Sequence, residues 1–381
     1  MNSAGATLLG SFSGATGQIY ETGFYFGTSE SSLAEREDLK GDGTNSSSGT
    51  FSAYVGSLSP KTTYYYQAYV REWNDLTGEW EYRKGAVMHF TTAAEGQVID
   101  TKPGYLSCGE IPAVALSGTT ANGQETFGNT KWYRYGVSGN SGQMIVTHTF
   151  AYNNKTMRNY SMLYDKSKKA ALWVAFAMHA DAYPAKVDRS DDWKYDPALV
   201  FGSDYSWQPD LSSSYSETGT DDYDRGHQVA SNDRRTTTYQ TKQTTYFSNM
   251  TPQIKGFNGG VWSTHEGKVQ AVGQATTGSD TLYVVTGPVF GSGYKTDAQD
   301  ASGVSCAVAT QYYKCIMKVT YNSAGVAVSA QGAAYLFDHM TGAAQQNKTI
   351  DQIETLTGFD FFTNIPSGVQ EAAESKFTTF F

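Results

Sequence analysis

Tyr223-Asp224-Arg225-Gly226-His227 begins the stretch around which this chain is organised. It is followed by Phe247-Ser248-Asn249-Met250-Thr251-Pro252-Gln253, by Asn258-Gly259-Gly260-Val261-Trp262 and by Glu266. An imidazole, a guanidinium, an amide and a carboxylate thus recur within one short part of the sequence. Because such groups move protons, bind anions and hold cations, the stretch is predicted to form the functional site.

The composition is typical of a globular, β-rich protein. The 381 residues suffice for two or three domains, and 39% hydrophobic residues supply the cores. Many glycines and tyrosines, 39 and 27, favour strands and loops over helices. The formal charge of -9 has the wrong sign for bulk attraction to a polyanion, so any binding of nucleic acid must be local.

The cysteines and the hydropathy exclude a disulfide framework and a membrane-spanning helix. Cys108, Cys306 and Cys315 cannot all pair within one chain. Cys306 and Cys315 either bridge neighbouring strands or are small buried residues. No apolar run approaches the roughly eighteen residues of a membrane span, and the N-terminus lacks the features of a signal peptide. The residues alone therefore predict either a cytosolic protein or one that begins after a removed export signal.

Residues 1–93 are predicted to form an all-β domain. Apolar and polar side chains alternate at 24–27, 51–55, 62–70 and 87–92, which indicates strands of a two-sheet sandwich. The turn Leu58-Ser59-Pro60-Lys61-Thr62-Thr63-Tyr64 resembles the Leu-x-Pro-x-Thr-x-Tyr signature of fibronectin type III domains. The resemblance implies an immunoglobulin-like module that spaces, docks or binds a partner.

The remainder is predicted to be a connecting segment and a second domain. Residues 94–142 show little periodicity and are predicted to be a linker and an irregular lead-in. Strands of the second domain, residues 143–381, are predicted at 145–150, 162–165, 171–178, 282–289, 312–319 and 333–337. The nearly continuous apolar run at 171–178 predicts a central sheet covered on both faces. Residues 350–358 predict a short helix closed by Gly358.

The side chains of the central stretch match the requirements of phosphodiester hydrolysis. His227 is the candidate base, because the pKa of histidine lies near working pH. Arg225 and Arg189 each offer a planar fork of donors to phosphate oxygens. Asn258 offers a hard cation one neutral oxygen and leaves other positions to water and substrate. Each residue also has an ordinary interpretation: a structural histidine, a turn or cap asparagine, and an arginine in a solvated ion pair.

The order and spacing of these segments resemble the DNA/RNA non-specific endonuclease family. These are the ββα-metal or His-Me finger nucleases, which include mitochondrial endonuclease G. Matching segments are 223–227, 231–234, 247–253, 258–262, Glu266, 285–288, 312–314 and 356–362. The resemblance covers residues 144–366 and implies an α+β fold with a central, mainly antiparallel sheet, preceded by the β-sandwich.

The resemblance implies a role for each candidate residue. His227 would be the general base that activates water, and Asn258 the only direct protein ligand of Mg²⁺, with Mn²⁺ as an alternative metal. Glu266 would hold metal-bound waters or the arginines. Arg225 and Arg189 would face the scissile phosphate.

Three further expectations concern neighbours of the site. Asn249 is predicted to be buried and hydrogen-bonded rather than a ligand. A separation of eight residues (266 − 258 = 8) places Asn258 and Glu266 within about 80° around a helix, so they can share a face, although the glycines between them make that helix depend on tertiary packing. His265 stands where the family usually has an apolar residue. It is predicted to be a partly exposed structural histidine, with metal binding beside Glu266 as the alternative.

Two functions remain open at this point. The first is a sugar-non-specific, Mg²⁺-dependent endonuclease that cleaves DNA and RNA. The alternative is a catalytically degenerate nuclease fold that acts as a binding or adhesion protein at the cell surface, which the acidic charge favours. A zinc hydrolase is not supported, because His265-Glu266 is not followed by a histidine at the required spacing. Relatives with such a leading module are typically exported, which implies a secreted or cell-surface protein whose first domain has a partner there.

Overall fold

The computed structural model describes two compact units. The described residues are 5–15, 18–56, 58–59, 62–74, 77–91, 109–114, 116–125, 130–153, 155–217, 223–323 and 325–381. The units span Met1–Thr101 and Lys102–Phe381. Among the described residues, no helix has the length and apolar character needed to cross a membrane.

The first unit consists of two antiparallel sheets around one apolar core. Its strands are β1 (Gly5–Ser13), β2 (Ile19–Gly27), β3 (Ala34–Thr44), β4 (Ser48–Gly56), β5 (Thr63–Asn74) and β6 (Glu79–Thr91). One sheet pairs β1 with β4, and the other has the order β3-β2-β5-β6. Side chains from both sheets pack in this core, among them Leu8, Val55 and Phe24. The buried Tyr64 accepts a hydrogen bond from the backbone N–H of Ser59 at 2.9 Å. Membership of the fibronectin type III class stays a prediction.

The second unit is built on a nine-stranded sheet in which all neighbours are antiparallel. Its strands are β7 (Leu116–Gln124), β8 (Lys131–Val137), β9 (Asn140–Tyr152), β10 (Lys155–Asp165), β11 (Ala170–Met178), β15 (Asp280–Val289), β18 (Gln311–Tyr321), β19 (Ala327–Asp338) and β20 (Gln346–Lys348). Their order in the sheet is β20-β19-β18-β15-β11-β10-β9-β8-β7.

The side chains of the central strand β11 are buried on both faces of the sheet. Val174 and Phe176 pack into the core on one face, and Trp173 and Ala175 into the core on the other. The apolar run at 171–178 therefore lies in a strand with no solvent-facing side, as predicted.

Part of the connecting segment is regular structure, which corrects the prediction of an irregular lead-in over 94–142. β7 and β8 extend the sheet beyond β9, so the described part of this segment belongs to the second unit. Glu110 is buried in an ion pair with Arg158, and the N–H of Ala113 donates to the carbonyl of Asp360. The sequence did not show β7 because this strand lies at the sheet edge and lacks apolar alternation.

The helices and the small sheets lie outside the main sheet. The helices are α1 (Thr238–Gln243), α2 (Lys255–Phe257), α3 (Ser263–Ala275), α4 (Ile350–Thr357) and α5 (Ser367–Glu374). The remaining strands are β12 (Ser216–Glu217), β13 (Tyr223–His227), β14 (Met250–Ile254), β16 (Lys295–Gln299) and β17 (Ser305–Val308). Thr349 and Gln352 form a capping box at the start of α4, and Gly358 ends it at φ 74°. The helix predicted at 350–358 is confirmed.

Cys306 and Cys315 are both buried and unpaired. Burial raises the pKa of the Cys306 thiol to about 12, as expected for an inert core residue. The buried-residue alternative therefore holds for this pair. Cys108 lies outside the described residues.

Candidate active site

Strand β13 carries Arg225 and His227, the turn before α3 carries Asn258, α3 carries Glu266, and Arg189 lies in a loop after β11. β13 pairs antiparallel with β14, so that His227 lies opposite Met250 and Arg225 opposite Pro252. A Cβ added to Gly226 would lie 2.2 Å from the Gln253 side chain, so only glycine allows this close pairing. The chain then passes through α2 and a wide turn into α3. This strand, strand, helix order gives the site its frame.

The helix that follows β14 is not continuous. Residues Asn258–Trp262 join α2 to α3 across a kink, at which Gly260 has the non-helical angles φ -103° and ψ -113°. The regular helix begins only at Ser263. The helix assumed from Asn258 to Glu266 is therefore interrupted at Gly260, although both residues line the same cavity, as the eight-residue spacing predicted.

One cavity of about 380 Å³ collects all five predicted site residues. Its lining includes Arg189, Arg225, His227, Asn258 and Glu266. Trp193 and Asp224, to which the sequence analysis assigned no role, also line it. Residues far apart in the chain therefore face a shared space.

The imidazole of His227 is held neutral at the cavity. Its Nε2 is shielded from solvent and has no hydrogen-bond partner among the described residues. Burial lowers the pKa of His227, and the positive charges of Arg189 and Arg225 add to this effect, giving about 3. The ring lies 5.6 Å from that of Trp193. A neutral imidazole with an unused nitrogen can accept a proton.

The two arginines differ in how firmly they are held. Arg225 donates from Nη1 to the carbonyl of Leu211 at 3.0 Å, and its guanidinium lies 4.1 Å from the ring centre of Trp193. Arg189 is exposed and lies 3.5 Å from the carboxylate of Asp191. The ion pair considered for Arg189 is thus present, although the same side chain lines the cavity.

Asp224 fixes the amide of Asn258. Asn258 donates from Nδ2 to Oδ2 of Asp224 at 2.9 Å. A carboxylate only accepts hydrogen bonds, so the amide nitrogen must face Asp224 and the amide oxygen remains available to the cavity. The sequence did not predict this contact because its partners lie in different elements.

Glu266 is a largely buried carboxyl group beside a buried lysine. Its Oε1 makes no well-formed hydrogen bond within the described part of the chain and lies 4.0 Å from Nζ of Lys314. Burial raises the pKa of Glu266 to about 7, against the charge of Lys314, which lowers it; Asp233 raises it further, and a weak contact with Trp262 lowers it. The sequence analysis assigned no role to Lys314.

Asn249 is a buried, hydrogen-bonded neighbour of the site, as predicted. It is fully buried, and its Oδ1 accepts from the N–H of Val229 at 2.9 Å. Its Nδ2 donates to the carbonyls of Val229 and Thr244 at 3.0 and 2.8 Å. These bonds tie the start of β14 to the segment that follows His227.

His265 has a different environment from the one predicted. It is buried rather than partly exposed, and its ring packs 4.5 Å from Tyr335 and 5.4 Å from Phe381. Its Nδ1 lies 3.1 Å from Oε1 of Gln345. Adjacent positions on a helix point in different directions, so His265 packs among aromatic rings while Glu266 lines the cavity.

A buried charged network stabilises the segment that leads into β14. His148 lies 2.8 Å from Glu125 and 3.0 Å from Asp196, and Ser248 donates to Asp196 at 2.6 Å. Burial acts to lower the pKa of His148, but the carboxylates of Asp196 and Glu125 outweigh it and raise the pKa to about 10. No sequence spacing indicates this network, because its members come from separate parts of the chain.

Comparison with known proteins assigns this chain to a family. A model of the DNA/RNA non-specific endonuclease family matches residues 140–368. A nuclease of Nostoc sp. is 28% identical over 221 residues, which cover 57% of this chain and 76% of that protein. A nuclease of Serratia marcescens is 31% identical over 250 residues, 63% of this chain and 82% of that protein. Human mitochondrial endonuclease G is 26% identical over 137 residues, 36% and 42% of the two chains.

The chain therefore belongs to the DNA/RNA non-specific endonuclease family. It is an enzyme that hydrolyses nucleic acid, and the prediction of a nuclease is confirmed.

Proposed function

We propose that this enzyme is a sugar-non-specific endonuclease that uses a divalent cation, Mg²⁺ or alternatively Mn²⁺, to hydrolyse phosphodiester bonds in DNA and RNA. The observation that carries the proposal is the single cavity shared by His227, Arg225, Arg189, Asn258 and Glu266. The neutral state of His227 fits it for proton transfer in that cavity.

His227 accepts the proton of the attacking water on its imidazole ring. Since its pKa is depressed to about 3, the imidazole is unprotonated throughout the neutral range. A base positioned in this way contributes about 10²- to 10⁴-fold to the rate. Trp193 limits the rotation of the ring by packing beside it.

Arg225 and Arg189 bind the phosphate. A guanidinium presents paired donors to phosphate oxygens, and the carbonyl of Leu211 and the ring of Trp193 hold that of Arg225 in place. Groups that contact phosphate rather than base edges carry no sequence information. The absence of base specificity follows from such a site.

The donor set of the cavity fits a hard divalent cation. The amide oxygen of Asn258 is directed by Asp224, and the buried Oε1 of Glu266 has no well-formed hydrogen bond to satisfy it. Oxygen ligands of this kind suit Mg²⁺, which retains several waters. Asn258 would hold the ion, and Glu266 would accept hydrogen bonds from its waters. A bound cation supplies Lewis-acid stabilisation of the charge that develops on phosphate.

Digestion of plasmid DNA and of structured RNA tests the proposal. The wild type is expected to cleave both with Mg²⁺ and to lose activity in EDTA, and His227→Ala is expected to lose about 10²- to 10⁴-fold in rate. His89→Ala, which alters an exposed histidine of β6, is the matched control. Cleavage that continues at the wild-type rate in EDTA, or in His227→Ala, would refute the proposed metal-dependent mechanism.

Export to the cell surface or the medium is part of the same proposal. Its support is the resemblance of the first unit to modules that typically accompany exported relatives. Fractionation of the producing cells, with activity measured in each fraction, tests it: activity confined to the cytosol would contradict export.

A further inference from the structure

Lys314 is a buried charge in the middle of the main sheet. It lies in β18, opposite Thr286 of β15 and Tyr335 of β19. Its side chain is fully buried, and Nζ makes no hydrogen bond within the part of the chain that the structure describes. A lysine seldom occupies such a position without a charged partner.

The groups that face Lys314 come from the element that carries the site. Nζ lies 4.0 Å from Oε1 of Glu266 and 4.6 Å from the ring centre of Trp262. Those two residues are four apart, one helical turn, so the ammonium lies beneath that turn. The charge of Lys314 also opposes the burial that raises the pKa of Asp233 to about 6. The sheet thus presents a cation to the carboxyl groups beneath the cavity.

Stability alone does not account for this arrangement. Burial of an ammonium costs several kcal/mol, and an apolar side chain of similar volume often serves as well or better. Tyr312 and Ile316, which lie two residues away on the same face of β18, are fully buried in an apolar core, so the surroundings accept apolar residues. A charge retained at this cost, directly behind a carboxylate that lines the cavity, indicates a role in the site.

On the basis of the proposed function, we propose that Lys314 is a positioning residue of the nuclease site. Its ammonium, aimed from β18, holds the carboxylate of Glu266 at the cavity, where Glu266 can accept hydrogen bonds from the waters of a bound cation. Lys314 does not touch substrate or cation and acts only through Glu266.

Direct measurement of Mn²⁺ binding by isothermal titration calorimetry, without nucleic acid, tests this role. Lys314→Met is expected to weaken Mn²⁺ binding about tenfold, the low end of the effect of supporting residues at metal sites. Lys318→Met is the matched control, since Lys318 lies on the same strand but pairs with Asp280 at 3.0 Å and does not line the cavity. It is expected to bind Mn²⁺ as the wild type does. Unchanged binding in Lys314→Met, or an equal loss in Lys318→Met, overturns the proposal.

A double-mutant cycle separates positioning from a general effect on folding. Glu266→Gln and Glu266→Gln/Lys314→Met are expected to bind Mn²⁺ equally, because Lys314 has no carboxylate to act on in that background. The double variant also removes both buried charges, which keeps the comparison possible if Lys314→Met alone does not fold. A further tenfold loss in the double variant refutes action through Glu266. A wild type that binds no Mn²⁺ and cleaves nothing refutes the proposed function itself, which is a separate outcome.

Discussion

The contact between Asp224 and Asn258 yields a sharp prediction about the cation. Asp224→Ala removes the acceptor that holds Nδ2 of Asn258 at 2.9 Å. The amide can then rotate and present its nitrogen where an oxygen is needed. We expect weaker binding of the cation, with the fold intact because Asp224 is only partly buried.

The magnitude follows from the kind of bond that is lost. A hydrogen bond to a charged group contributes about 1.5 to 3 kcal/mol. At about 1.4 kcal/mol for each factor of ten, Asp224→Ala should weaken Mn²⁺ binding by roughly 10- to 100-fold. Asp224→Asn keeps an oxygen acceptor and loses only the charge, so it should lose about half as much free energy, because charge-assisted bonds are about twice as strong as neutral ones.

Calorimetric titration with Mn²⁺, paired with plasmid cleavage at several Mg²⁺ concentrations, measures both variants. Asp297→Ala is the matched control. Asp297 accepts a hydrogen bond from Tyr223, which lies on β13 as Asp224 does, but Asp297 does not line the cavity. Wild-type affinity in Asp224→Ala would refute the orientation of Asn258 by Asp224. Equal losses in the Ala and Asn variants would instead make the Asp224 carboxylate itself the ligand.

Three further predictions concern stability, measured by urea unfolding. Asn249→Ala leaves three buried backbone groups without their partner and should cost about 3 kcal/mol; a loss below 1 kcal/mol would contradict its supporting role. Gly226→Ala places a Cβ against the buried Gln253 and should cost about 1 to 3 kcal/mol, whereas Gly368→Ala, in α5 with open space around it, should not destabilise the protein. The pKa of His148 is raised to about 10, so its contribution is complete below its ordinary pKa of 6.5 and is lost as pH rises through 10. The alkaline loss should be smaller in His148→Gln, and identical pH profiles would refute the assignment.

The sequence was sufficient for the parts of the fold and site that depend on local pattern. The run at 171–178 is apolar throughout because β11 is covered on both faces, and Gly358 ends α4 because it adopts a left-handed conformation. The five candidate residues occur in an ordered set of motifs, and they do line one cavity.

What the sequence missed depends on contacts between distant segments. β7 carries no periodicity because an edge strand need not bury a face. The buried state of His265 is decided by Tyr335 and Phe381, which lie far along the chain. The role proposed for Lys314 depends on its contact with Glu266, and the sequence around a lysine in a strand does not indicate which residue it contacts. The periodicity of a sequence therefore does not reveal electrostatic contacts between residues of different strands and helices.

Four residues of the candidate site lie close together in the sequence, and this has a consequence for evolution. Arg225, His227, Asn258 and Glu266 all lie between the beginning of β13 and the first turns of α3, so one recombination event can carry the four together. Lys314 and Arg189 lie outside that segment and would stay behind in the donor protein. A transplanted segment would therefore arrive with its base and its metal-facing amide, but would depend on its new host for the cation beneath Glu266.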